Sequence, residues 1–508
     1  MAWMGQLIER CRQRFPETVA VIDGEREVTF AQLEDRTARL ASALLARGIR
    51  KGDRVGILAR NRLEVIESYF ALGRIGAAFV PINHTSVQRE MLDIVQRCRV
   101  SAVMGEADLL PMVAEAKTPL YAFEDREYAQ WTETQERAAL PNVEITDLMA
   151  ILHTSATTGQ SKGVMVDYRS LRSMATGFLA DVAPEPGMVF FNCFQLCHGA
   201  LVQPFIYMVR GATIVVQRGF TAQGCLEELE RTRTTHLWVV PEMLKFIMRS
   251  RNLDSTDVSS LRQVAYAAAP LPLGLLREAH QKLRCGFRQI YGMTEGGGPM
   301  ATLGPEEHAV ALAPGAKPDL VVPAGRVICG TSMRICSESG DPLPPREIGE
   351  VCVRGDGVML GYWENPAATS EVIRDGWLRT GDLGYLDEAG YAYLVGRLKE
   401  MIMRSGQQVF PVEVEKVLLE HPAIAEAGVV GIADPDWGET PVAFLVVKPG
   451  SAVTADEVNA FLVDRLASYK RPSRLEFVQE LPRGMAGKLL RRVLKERAME
   501  RAMAEVGA

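Results

Sequence analysis

The sequence predicts an α/β protein with a large N-terminal domain of α/β layers plus a β subdomain, followed by a small C-terminal α+β domain. The chain has 508 residues, which is too long for one hydrophobic core. In its first part, short apolar runs alternate with segments of helical period, as in mostly parallel sheets covered by helices. From about residue 327, short strands separated by glycine turns predict an antiparallel β subdomain.

The strands of the N-terminal part are predicted from apolar runs that are short and bounded by turn residues. They are expected at residues 19–22, 53–58, 77–82, 103, 121, 148–152, 214–216, 238–240, 264–267 and 287–290. Helical periodicity is clearest in residues 30–45 and 62–72. Strands and helices therefore alternate along the chain, and this alternation favours parallel pairing.

The C-terminal part shows a different pattern. Three short strands are expected in the β subdomain, at residues 333–335, 350–354 and 391–394. A small α/β unit follows Arg397, with strands at residues 427–430 and 443–447 and helices at residues 412–419 and 455–466. We find no internal repeat and no low-complexity linker between these parts of the sequence.

Composition and charge exclude several classes of function. The net charge is −6 and the pI is about 5.8, so no overall positive field attracts nucleic acid. No run of eighteen apolar residues occurs, and the charged N-terminus does not resemble a signal peptide. The nine cysteines form no C-x-x-C pair, and Cys193, Cys197 and His198 lack the further partners of a zinc site. We therefore expect buried thiols and a soluble, cytoplasmic protein.

One loop concentrates groups that bind phosphate. It follows the strand predicted at residues 148–152 and reads Thr154-Ser155-Ala156-Thr157-Thr158-Gly159-Gln160-Ser161-Lys162-Gly163. Hydroxyl and backbone N–H groups donate to phosphate oxygens, glycine permits close approach, and Lys162 adds positive charge. The spacing is not that of a Walker loop. The composition predicts a clamp on the β- and γ-phosphates of a nucleotide, with an ordinary solvated loop as the alternative.

Four further motifs follow this loop, and together the five resemble the adenylate-forming superfamily. They read Tyr291-Gly292-Met293-Thr294-Glu295, Arg379-Thr380-Gly381-Asp382, Gly396-Arg397-Leu398-Lys399-Glu400 and Pro482-Arg483-Gly484-Met485-Ala486-Gly487-Lys488. The superfamily comprises acyl-CoA synthetases, peptide-synthetase adenylation domains and luciferases, and the resemblance covers residues 29–492. It implies that a carboxylate attacks the α-phosphorus of ATP, giving an acyl-adenylate and pyrophosphate, and that a thiol then displaces AMP. It also implies domains at residues 1–398 and 399–508, the second being mobile between the two half-reactions.

Two carboxylates fit this chemistry by residue type. Glu295 follows a predicted strand, and Mg²⁺ bound with a nucleotide takes one or two carboxylates besides phosphate oxygens. Asp382 lies in a Thr-Gly-Asp turn, where a charged acceptor strengthens hydrogen bonds to both ribose hydroxyls. The alternatives are a surface glutamate at a helix start and an ordinary turn residue.

The resemblance assigns further roles. Lys488 is the cation that reaches the carboxylate and the α-phosphate during adenylation, Thr294 contacts the α-phosphate, and His198 gates the acyl pocket. The alternatives are a solvated lysine on a basic helix and a satisfied core histidine. The nucleotide-binding residues are Thr154, Ser155, Thr157, Thr158, Gly159, Lys162, Ala268, Ala269, Pro270, Tyr291, Gly292, Met293, Asp382 and Arg397. The hinge is Lys399, and the thiol tunnel is lined by Ser405, Gly406 and Gln407.

The function implied by the resemblance is an ATP-dependent ligase that joins a small carboxylic acid to coenzyme A and uses Mg²⁺. Residues 191–203 contain no aspartate of the kind that binds an α-amino group, and no carrier domain follows Lys488. Gly296-Gly297-Gly298 is expected to leave space for a ring or a chain. A homodimer is compatible with the sequence. The alternatives are an adenylating enzyme with another acceptor, such as an amine, a carrier protein or nitrite, and an idle ligand-binding relative.

Five positions depart from the superfamily pattern. In the phosphate loop, Ala156 and Ser161 replace a common glycine and a common proline. Near the predicted tunnel, Ser405 and Gln408 replace a glycine and an asparagine. Tyr266 stands where a small residue often opens the turn beside adenine. We expect the first two to alter loop dynamics, and the others to alter the thiol step or the pocket shape.

Overall fold

The structure is a computed structural model that describes residues 3–154, 161–197, 203–313, 315, 322–483 and 489–506. The chain divides into two compact units. The first comprises Met1–Met333 and Val353–Leu378, and the second comprises Arg334–Cys352 and Arg379–Ala508. The domain boundary expected at Lys399 concerns where the chain turns during the reaction. Packing within one conformation does not test it, so it stays a prediction.

The first unit contains a sheet that is parallel in its centre and antiparallel at its ends. Its strands, in spatial order, are Gly325–Val327, Gly298–Leu303, Gly286–Met293, Gln263–Ala267, His236–Val239, Val189–Asn192, Thr213–Val216, Val19–Asp23 and Arg26–Thr29. Pairing is parallel from Gly286–Met293 to Val19–Asp23 and antiparallel beyond them. The carboxyl ends of the parallel strands therefore meet at one edge, where α/β proteins bind ligands.

A second sheet of the first unit carries the phosphate-loop motif. Its strands, in spatial order, are Gly361–Tyr362, Gly163–Asp167, Leu148–His153, Ala78–Ile82, Arg54–Leu58, Ala102–Gly105 and Leu120–Ala122. The last five pair in parallel, whereas Gly163–Asp167 runs antiparallel to both of its neighbours. The motif therefore lies in a hairpin loop.

Helices alternate with these strands, most of them burying one face and one, Leu63–Ile75, buried along its whole length. They are Trp3–Arg14, Phe30–Ala46, Leu63–Ile75, Gln88–Arg97, Arg126–Glu133, Tyr168–Val182, Gln203–Met208, Ala222–Arg231, Pro241–Met248, Leu273–Leu283, Pro305–Leu312 and Pro366–Val372, with 3₁₀ turns at Leu110–Ala116 and Leu253–Ser255. Phe30–Ala46 shows how such a helix begins: Thr29 accepts from the N–H of Gln32, whose side chain accepts from the N–H of Thr29. Side chains such as Leu226, Leu244 and Leu276 complete the core against the first sheet.

The second unit holds strands of the β subdomain and a small α/β layer. The strands Thr331–Cys336, Gly349–Gly355, Trp377–Leu386 and Tyr391–Arg397 lie side by side in that order. Ile373–Arg374, which belongs to the first unit, pairs with Trp377 and Leu378. The small sheet comprises Gln407–Val409, Ile402–Arg404, Gly438–Val447 and Ile424–Asp434, with Arg474–Phe477 parallel to Gly438–Val447. The helices are Pro411–Leu419, Ala455–Val463 and Arg491–Val506, with 3₁₀ turns at Leu398–Glu400 and Ser468–Lys470.

Alternation along one strand explains how the small sheet is covered on both faces. In Ile424–Asp434, Val429 packs with Leu418 and Leu462 of two helices. Its neighbour Val430 packs with Leu494 of Arg491–Val506 on the opposite face. The C-terminal helix therefore helps to bury the face of the sheet opposite the other two helices.

The fold class is confirmed, and the predicted strands occur within a few residues of their expected limits. Three local predictions need correction. The helix expected at residues 455–466 ends at Val463. Several strands were not predicted, among them Gly163–Asp167, Val189–Asn192, Gly298–Leu303 and Trp377–Leu386. Cys329 is exposed, whereas the other cysteines are buried as expected. Within the described residues, no helix has the length and apolar character required to span a membrane.

Candidate active site

The two ends of the loop rich in serine, threonine and glycine are hydrogen-bonded to each other at the end of a hairpin. It connects Leu148–His153 with the antiparallel strand Gly163–Asp167. The N–H of Thr154 donates to the carbonyl of Lys162 at 3.2 Å, and the hydroxyl of Ser161 donates to the carbonyl of Thr154 at 2.6 Å. The loop tip lies outside the described residues, and with it Ser155, Ala156, Thr157, Thr158 and Gly159. The hairpin therefore fixes both ends of the phosphate loop.

The base of this loop also forms hydrogen bonds with neighbouring segments of the first unit. Nη1 of Arg97 donates to the carbonyl of Ser161 at 3.0 Å, and the indole N–H of Trp363 donates to the carbonyl of Arg97 at 3.0 Å. A proline at position 161 would lack the hydroxyl that bonds Thr154. Ser161 thus replaces the rigidity of a proline ring with a hydrogen bond across the loop base.

Tyr362 connects the loop base with the carboxylate predicted to hold a metal. Its hydroxyl donates to Oε1 of Glu295 at 3.0 Å, and Nζ of Lys162 lies 4.8 Å from the centre of its ring. Burial, reinforced by the charge of Glu295, raises the pKa of Tyr362 well above its ordinary value. The phenol therefore keeps its proton and acts as a donor. Cation, aromatic ring and carboxylate form one chain of contacts.

Sequence reasoning did not identify Tyr362. The tyrosine lies 67 positions from Glu295, and its strand, Gly361–Tyr362, has only two residues. So short a strand shows no alternation of apolar residues. Its antiparallel pairing with Gly163–Asp167 is what brings the phenol to the site. Only the fold reveals this contact.

Glu295 is a buried carboxylate in the turn between Gly286–Met293 and Gly298–Leu303, with Thr294 half-buried beside it. The side chain accepts from Tyr362, and its carbonyl accepts from the N–H of Met359 at 2.9 Å. Among the described residues, no lysine or arginine forms a salt bridge with it, and no cluster of three or more His, Cys, Asp or Glu could hold a metal unaided. A buried carboxylate needs a compensating charge. Mg²⁺ that shares its ligands between one carboxylate and phosphate oxygens fits this arrangement.

The glycines after Glu295 do not provide the open space that was expected. A Cβ atom on Gly297 would lie 2.0 Å from the carbonyl oxygen of Gly357. Cβ atoms on Gly296 and Gly298 would lie 2.2 and 2.6 Å from methionine sulfurs. These glycines therefore allow neighbouring segments to pack closely around the turn, and the substrate space must be sought elsewhere.

The segments expected beside adenine emerge together at one edge of the first sheet. Ala267 and Ile290 are register partners in parallel strands, so Ala268-Ala269-Pro270 and Tyr291-Gly292-Met293 continue from neighbouring positions. Ala268-Ala269-Pro270 is exposed, and Ala268 has a φ of +71°, which is strained for a residue with a Cβ atom. An exposed, strained turn at this edge is typical of ligand sites in α/β folds.

The side chain of Tyr266, on the strand that leads into that turn, packs in the hydrophobic core. Its ring is fully buried, and its hydroxyl contacts Oε1 of Gln289 at 3.0 Å and Nε2 of His308 at 2.9 Å. The core accommodates the large side chain. Its effect on the pocket shape stays a prediction.

The segment before the predicted acyl gate is fixed by two residues that sequence reasoning missed. Asn61 donates from Nδ2 to the carbonyl of Phe194 at 2.6 Å and accepts from the N–H of Leu196 at 2.7 Å. The hydroxyl of Tyr69 donates to the carbonyl of Leu196 at 2.7 Å. His198 itself lies outside the described residues. The chain therefore enters the gate segment from a fixed direction.

In the second unit, Asp382 and Arg397 are partners on adjacent antiparallel strands. Nε of Arg397 lies 2.6 Å from Oδ1 of Asp382, whose side chain is 8% exposed. The N–H of Asp382 donates to the hydroxyl of Thr380 at 3.1 Å, and that hydroxyl donates to the carbonyl of Val351 at 2.8 Å. The two residues predicted to contact ribose are therefore brought together and oriented by their surroundings.

The predicted hinge residue lies on an exposed turn, and the predicted tunnel residues lie on a second exposed turn and on the first residue of the strand that follows it, Gln407. Lys399 is exposed in the 3₁₀ turn Leu398–Glu400. Ser405 and Gly406 form a two-residue turn between Ile402–Arg404 and Gln407–Val409, with φ values of +50° and +76°. Such hairpin turns favour glycine or asparagine, so serine is strained here. This conformation explains why a glycine is common at position 405.

Lys488 lies outside the described residues, but both ends of its segment are described. Arg483 and Leu489 form an antiparallel bridge, and the N–H of Leu490 donates to the carbonyl of Pro482 at 2.8 Å. The two ends are therefore held side by side.

Comparison with known families and proteins covers most of this chain. A family model described as AMP-binding enzyme matches residues 8–363, and one described as AMP-binding enzyme C-terminal domain matches residues 413–488. A fatty acid–[acyl-carrier-protein] ligase from Streptomyces coeruleorubidus is 33% identical over 501 residues, which cover 96% of this chain and 94% of the relative. A 2-succinylbenzoate–CoA ligase from Geobacillus kaustophilus is 33% identical over 491 residues, covering 94% of this chain and 95% of the relative.

Solved structures match over nearly the whole chain. The o-succinylbenzoate CoA synthetase of Bacillus subtilis, in complex with its acyl-adenylate intermediate, is 30% identical with a TM-score of 0.85, covering 96% of this chain and 97% of that structure. The amide bond synthetase of Marinactinospora thermotolerans is 28% identical with a TM-score of 0.86, covering 97% and 99%. The chain therefore belongs to the AMP-binding enzyme family, and through it to the adenylate-forming superfamily of ligases.

Proposed function

We propose that this protein is an ATP-dependent ligase that converts a carboxylic acid into an acyl-adenylate and transfers the acyl group to coenzyme A, releasing AMP and pyrophosphate. The observation that carries the proposal is the chain of contacts from Lys162 through Tyr362 to Glu295. It joins the base of the phosphate loop to a buried carboxylate that has no cationic partner among the described residues. Family membership supports the same assignment.

The first half-reaction needs positioning and charge neutralisation more than covalent help from the protein. Glu295 would hold Mg²⁺, which when bound supplies positive charge to the phosphate oxygens. Tyr362 keeps Oε1 of Glu295 oriented, Lys162 approaches the phosphates, and Thr294 donates to the α-phosphate. A related synthetase has been solved with ATP and a magnesium ion, which supports this assignment.

The remaining nucleotide contacts are proposed from the family motifs. Asp382 accepts from the ribose hydroxyls, and Arg397 holds that carboxylate in place at 2.6 Å. The loop and strand-edge contacts are proposed for Thr154, Ser155, Thr157, Thr158, Gly159, Ala268, Ala269, Pro270, Tyr291, Gly292 and Met293. The exposure of Ala268-Ala269-Pro270 supports an approach of the flat base to these small side chains.

The second half-reaction is proposed to follow a rotation of residues 399–508 about Lys399. Lys488 would stabilise the charge that develops on the attacking carboxylate and α-phosphate, and would then leave. Coenzyme A would approach along the tunnel lined by Ser405, Gly406 and Gln407, and His198 would separate it from the acyl pocket. The exposure of Lys399 and of the Ser405-Gly406 turn supports this arrangement.

A second acceptor is a specific alternative, because two of the similar proteins are named for other acceptors. One is a fatty acid–[acyl-carrier-protein] ligase, and the other is an amide bond synthetase. The first half-reaction would be unchanged. Only the nucleophile that displaces AMP would differ, being a carrier-protein thiol, an amine or another nitrogen nucleophile such as nitrite.

A two-stage assay tests the proposal. A panel of carboxylic acids is first scored for exchange of labelled pyrophosphate into ATP without any acceptor. The best acid is then used to measure AMP release with coenzyme A, a carrier protein or an amine. We expect acid-dependent exchange and release that rises with coenzyme A. Exchange without a response to coenzyme A would favour the alternative acceptor, and no exchange with any acid would contradict the adenylating function.

A further inference from the structure

Arg491 is a partly buried side chain that joins three segments of the second unit. It begins the helix Arg491–Val506, and its side chain is 16% exposed. Nε donates to Oε2 of Glu400 at 2.8 Å, and Nη2 donates to Oε2 of Glu415 at 2.9 Å. Nη1 donates to the carbonyl of Val429 at 2.9 Å and also contacts Oε1 of Glu415. A planar guanidinium can make such a fork of bonds, whereas lysine cannot.

These bonds attach one end of the Lys488 segment to the sheet. Arg491 follows Lys488 by three residues, and its partner Val429 lies on the strand Ile424–Asp434. The other end of the segment is attached to the same strand, because Nη2 of Arg483 donates to Oε2 of Glu426 at 2.8 Å. The residues at both ends of the segment are therefore hydrogen-bonded to one strand, Ile424–Asp434.

Glu400 carries the connection to the predicted hinge. It directly follows Lys399 and ends the 3₁₀ turn Leu398–Glu400. Its hydrogen bond to Arg491 joins residues that are 91 positions apart in the sequence. The side chain of Arg491 therefore links the residue after the predicted hinge to the helix after Lys488. We propose that Arg491 is a positioning residue that makes the Lys488 segment move rigidly with the hinge, an inference that rests on the proposed two-step function.

The turn that contains Ser405 does not use this connection. The strand before it is held by Arg404, whose Nη1 donates to the carbonyls of Tyr469 at 3.2 Å and Arg471 at 3.0 Å. Loss of Arg491 should therefore loosen the lysine segment while leaving this turn in place. Adenylation should suffer far more than transfer to the acceptor.

The neighbouring Arg492 provides a matched control. Its side chain is 68% exposed and pairs with Glu496 one helical turn away. The substitutions to compare are Arg491→Gln, Arg491→Lys, Glu400→Gln and Arg492→Gln. For each, single-turnover rates are measured for adenylate formation, followed as pyrophosphate, and for transfer from supplied acyl-adenylate. Thermal unfolding of each variant reports the integrity of the domain.

We expect Arg491→Gln to slow adenylation by about tenfold or more, since small displacements of a catalytic group are costly. Transfer should stay within about threefold of the original rate, because the turn that contains Ser405 is held by Arg404 and shares no partner with Arg491. Glu400→Gln should reproduce part of the effect, Arg491→Lys should restore little, and Arg492→Gln should change neither step. The double substitution at positions 400 and 491 should be no worse than Arg491→Gln alone.

Two outcomes would overturn the inference while leaving the ligase function intact. One is an Arg491→Gln variant whose two rates both match those of Arg492→Gln. The other is an unchanged ratio of the two rates in both Arg491→Gln and Glu400→Gln. The second variant is needed if Arg491→Gln lowers the unfolding temperature, because Glu400→Gln keeps the bonds of Arg491 to Glu415 and Val429. Failure of the unmodified protein to form any adenylate would instead contradict the proposed function itself.

Discussion

The phenol of Tyr362 donates a 3.0 Å hydrogen bond to the carboxylate of Glu295, and both residues are more than nine-tenths buried. The bond occupies Oε1 and leaves the other carboxylate oxygen for a cation. Because Lys162 lies over the same ring, the tyrosine also connects this carboxylate to the phosphate loop. One side chain thus orients two groups that the first half-reaction is proposed to use.

Tyr362→Phe should weaken the response of adenylation to Mg²⁺. The variant keeps the aromatic ring beneath Lys162 and removes only the donor to Glu295, a charge-assisted hydrogen bond of the kind worth about 1.5–3 kcal/mol. We expect the Mg²⁺ concentration for half-maximal pyrophosphate exchange to rise about tenfold. Titration of ATP binding with and without Mg²⁺ should show a loss confined to the metal-containing condition.

The control for this variant is Tyr385→Phe, because the Tyr385 ring stacks on Tyr393 in the second unit. It should leave the Mg²⁺ requirement unchanged. An unaltered Mg²⁺ requirement in Tyr362→Phe would show that the phenol does not orient the metal ligand.

Asp382→Ala should weaken ATP binding and slow adenylation. The substitution removes the acceptor proposed for ribose and leaves Arg397 without its partner at 2.6 Å. We expect the KM for ATP to rise about tenfold or more, with the KM for the acid nearly constant. Glu388→Gln, which disrupts an exposed pair with Arg346, is the control and should behave like the original protein. An ATP dependence that survives Asp382→Ala would refute the ribose role.

Lys399→Pro should separate the two half-reactions. Proline fixes φ near about −65° and also restricts Leu398, so a rotation at this position would lose part of its range. Because Lys399 is exposed, we expect the substitution not to disturb the packing of the domain. We expect adenylation to survive and transfer to coenzyme A to fail.

The matched control for the hinge is Lys399→Ala, which removes the charge and keeps the rotational freedom. Both steps should persist in that variant. Retention of both steps in Lys399→Pro would place the hinge elsewhere, and a proportional loss of both would indicate a folding defect.

Stability should fall as the pH is lowered from about 6.5 towards 4, in part because of His236. This residue is 6% exposed, and burial, aided by Arg262 and Arg288, lowers its pKa from 6.5 to about 4. Between these values the unfolded chain binds a proton that the folded chain does not. Folding stability therefore decreases by about 1.4 kcal/mol per pH unit from this group.

His236→Asn tests this sign. Asparagine can preserve the contact that Nδ1 of His236 makes with the hydroxyl of Thr235 at 2.9 Å. Urea unfolding at several pH values between 7.5 and 4.5 should give a shallower pH dependence for the variant. Parallel curves for the two proteins would show that folding does not lower the pKa of His236.

The sequence predicted the fold well where the signal was local. The strand Ala78–Ile82 is apolar at consecutive positions, and the helix Phe30–Ala46 shows clear periodicity after a capping threonine. It predicted less where the determining contact was distant. The short strand Gly361–Tyr362 and the bonds of Asn61 to Phe194 and Leu196 depend on tertiary pairing, which no local pattern records.

In the candidate site, too, residues in local motifs were proposed from the sequence, whereas features that depend on distant contacts were not. Glu295 and Asp382 were proposed from the sequence because carboxylates in motif positions match the needs of Mg²⁺ and ribose, and those roles stay predictions. The glycines at 296–298 were misinterpreted as open space, because a glycine permits both a cavity and a close approach of backbone. Only the position of the Gly357 carbonyl decides between them.

The measurement that tests the central claim most directly is the rate of each half-reaction in Lys488→Ala. Pyrophosphate formation from acid and ATP, and thioester formation from supplied acyl-adenylate and coenzyme A, are followed separately in single turnovers. The two-step account predicts that adenylation is nearly abolished while thioester formation is largely kept, since the lysine acts only while the α-phosphate is attacked. Equal loss in both half-reactions, or an undiminished rate of adenylation, would contradict it.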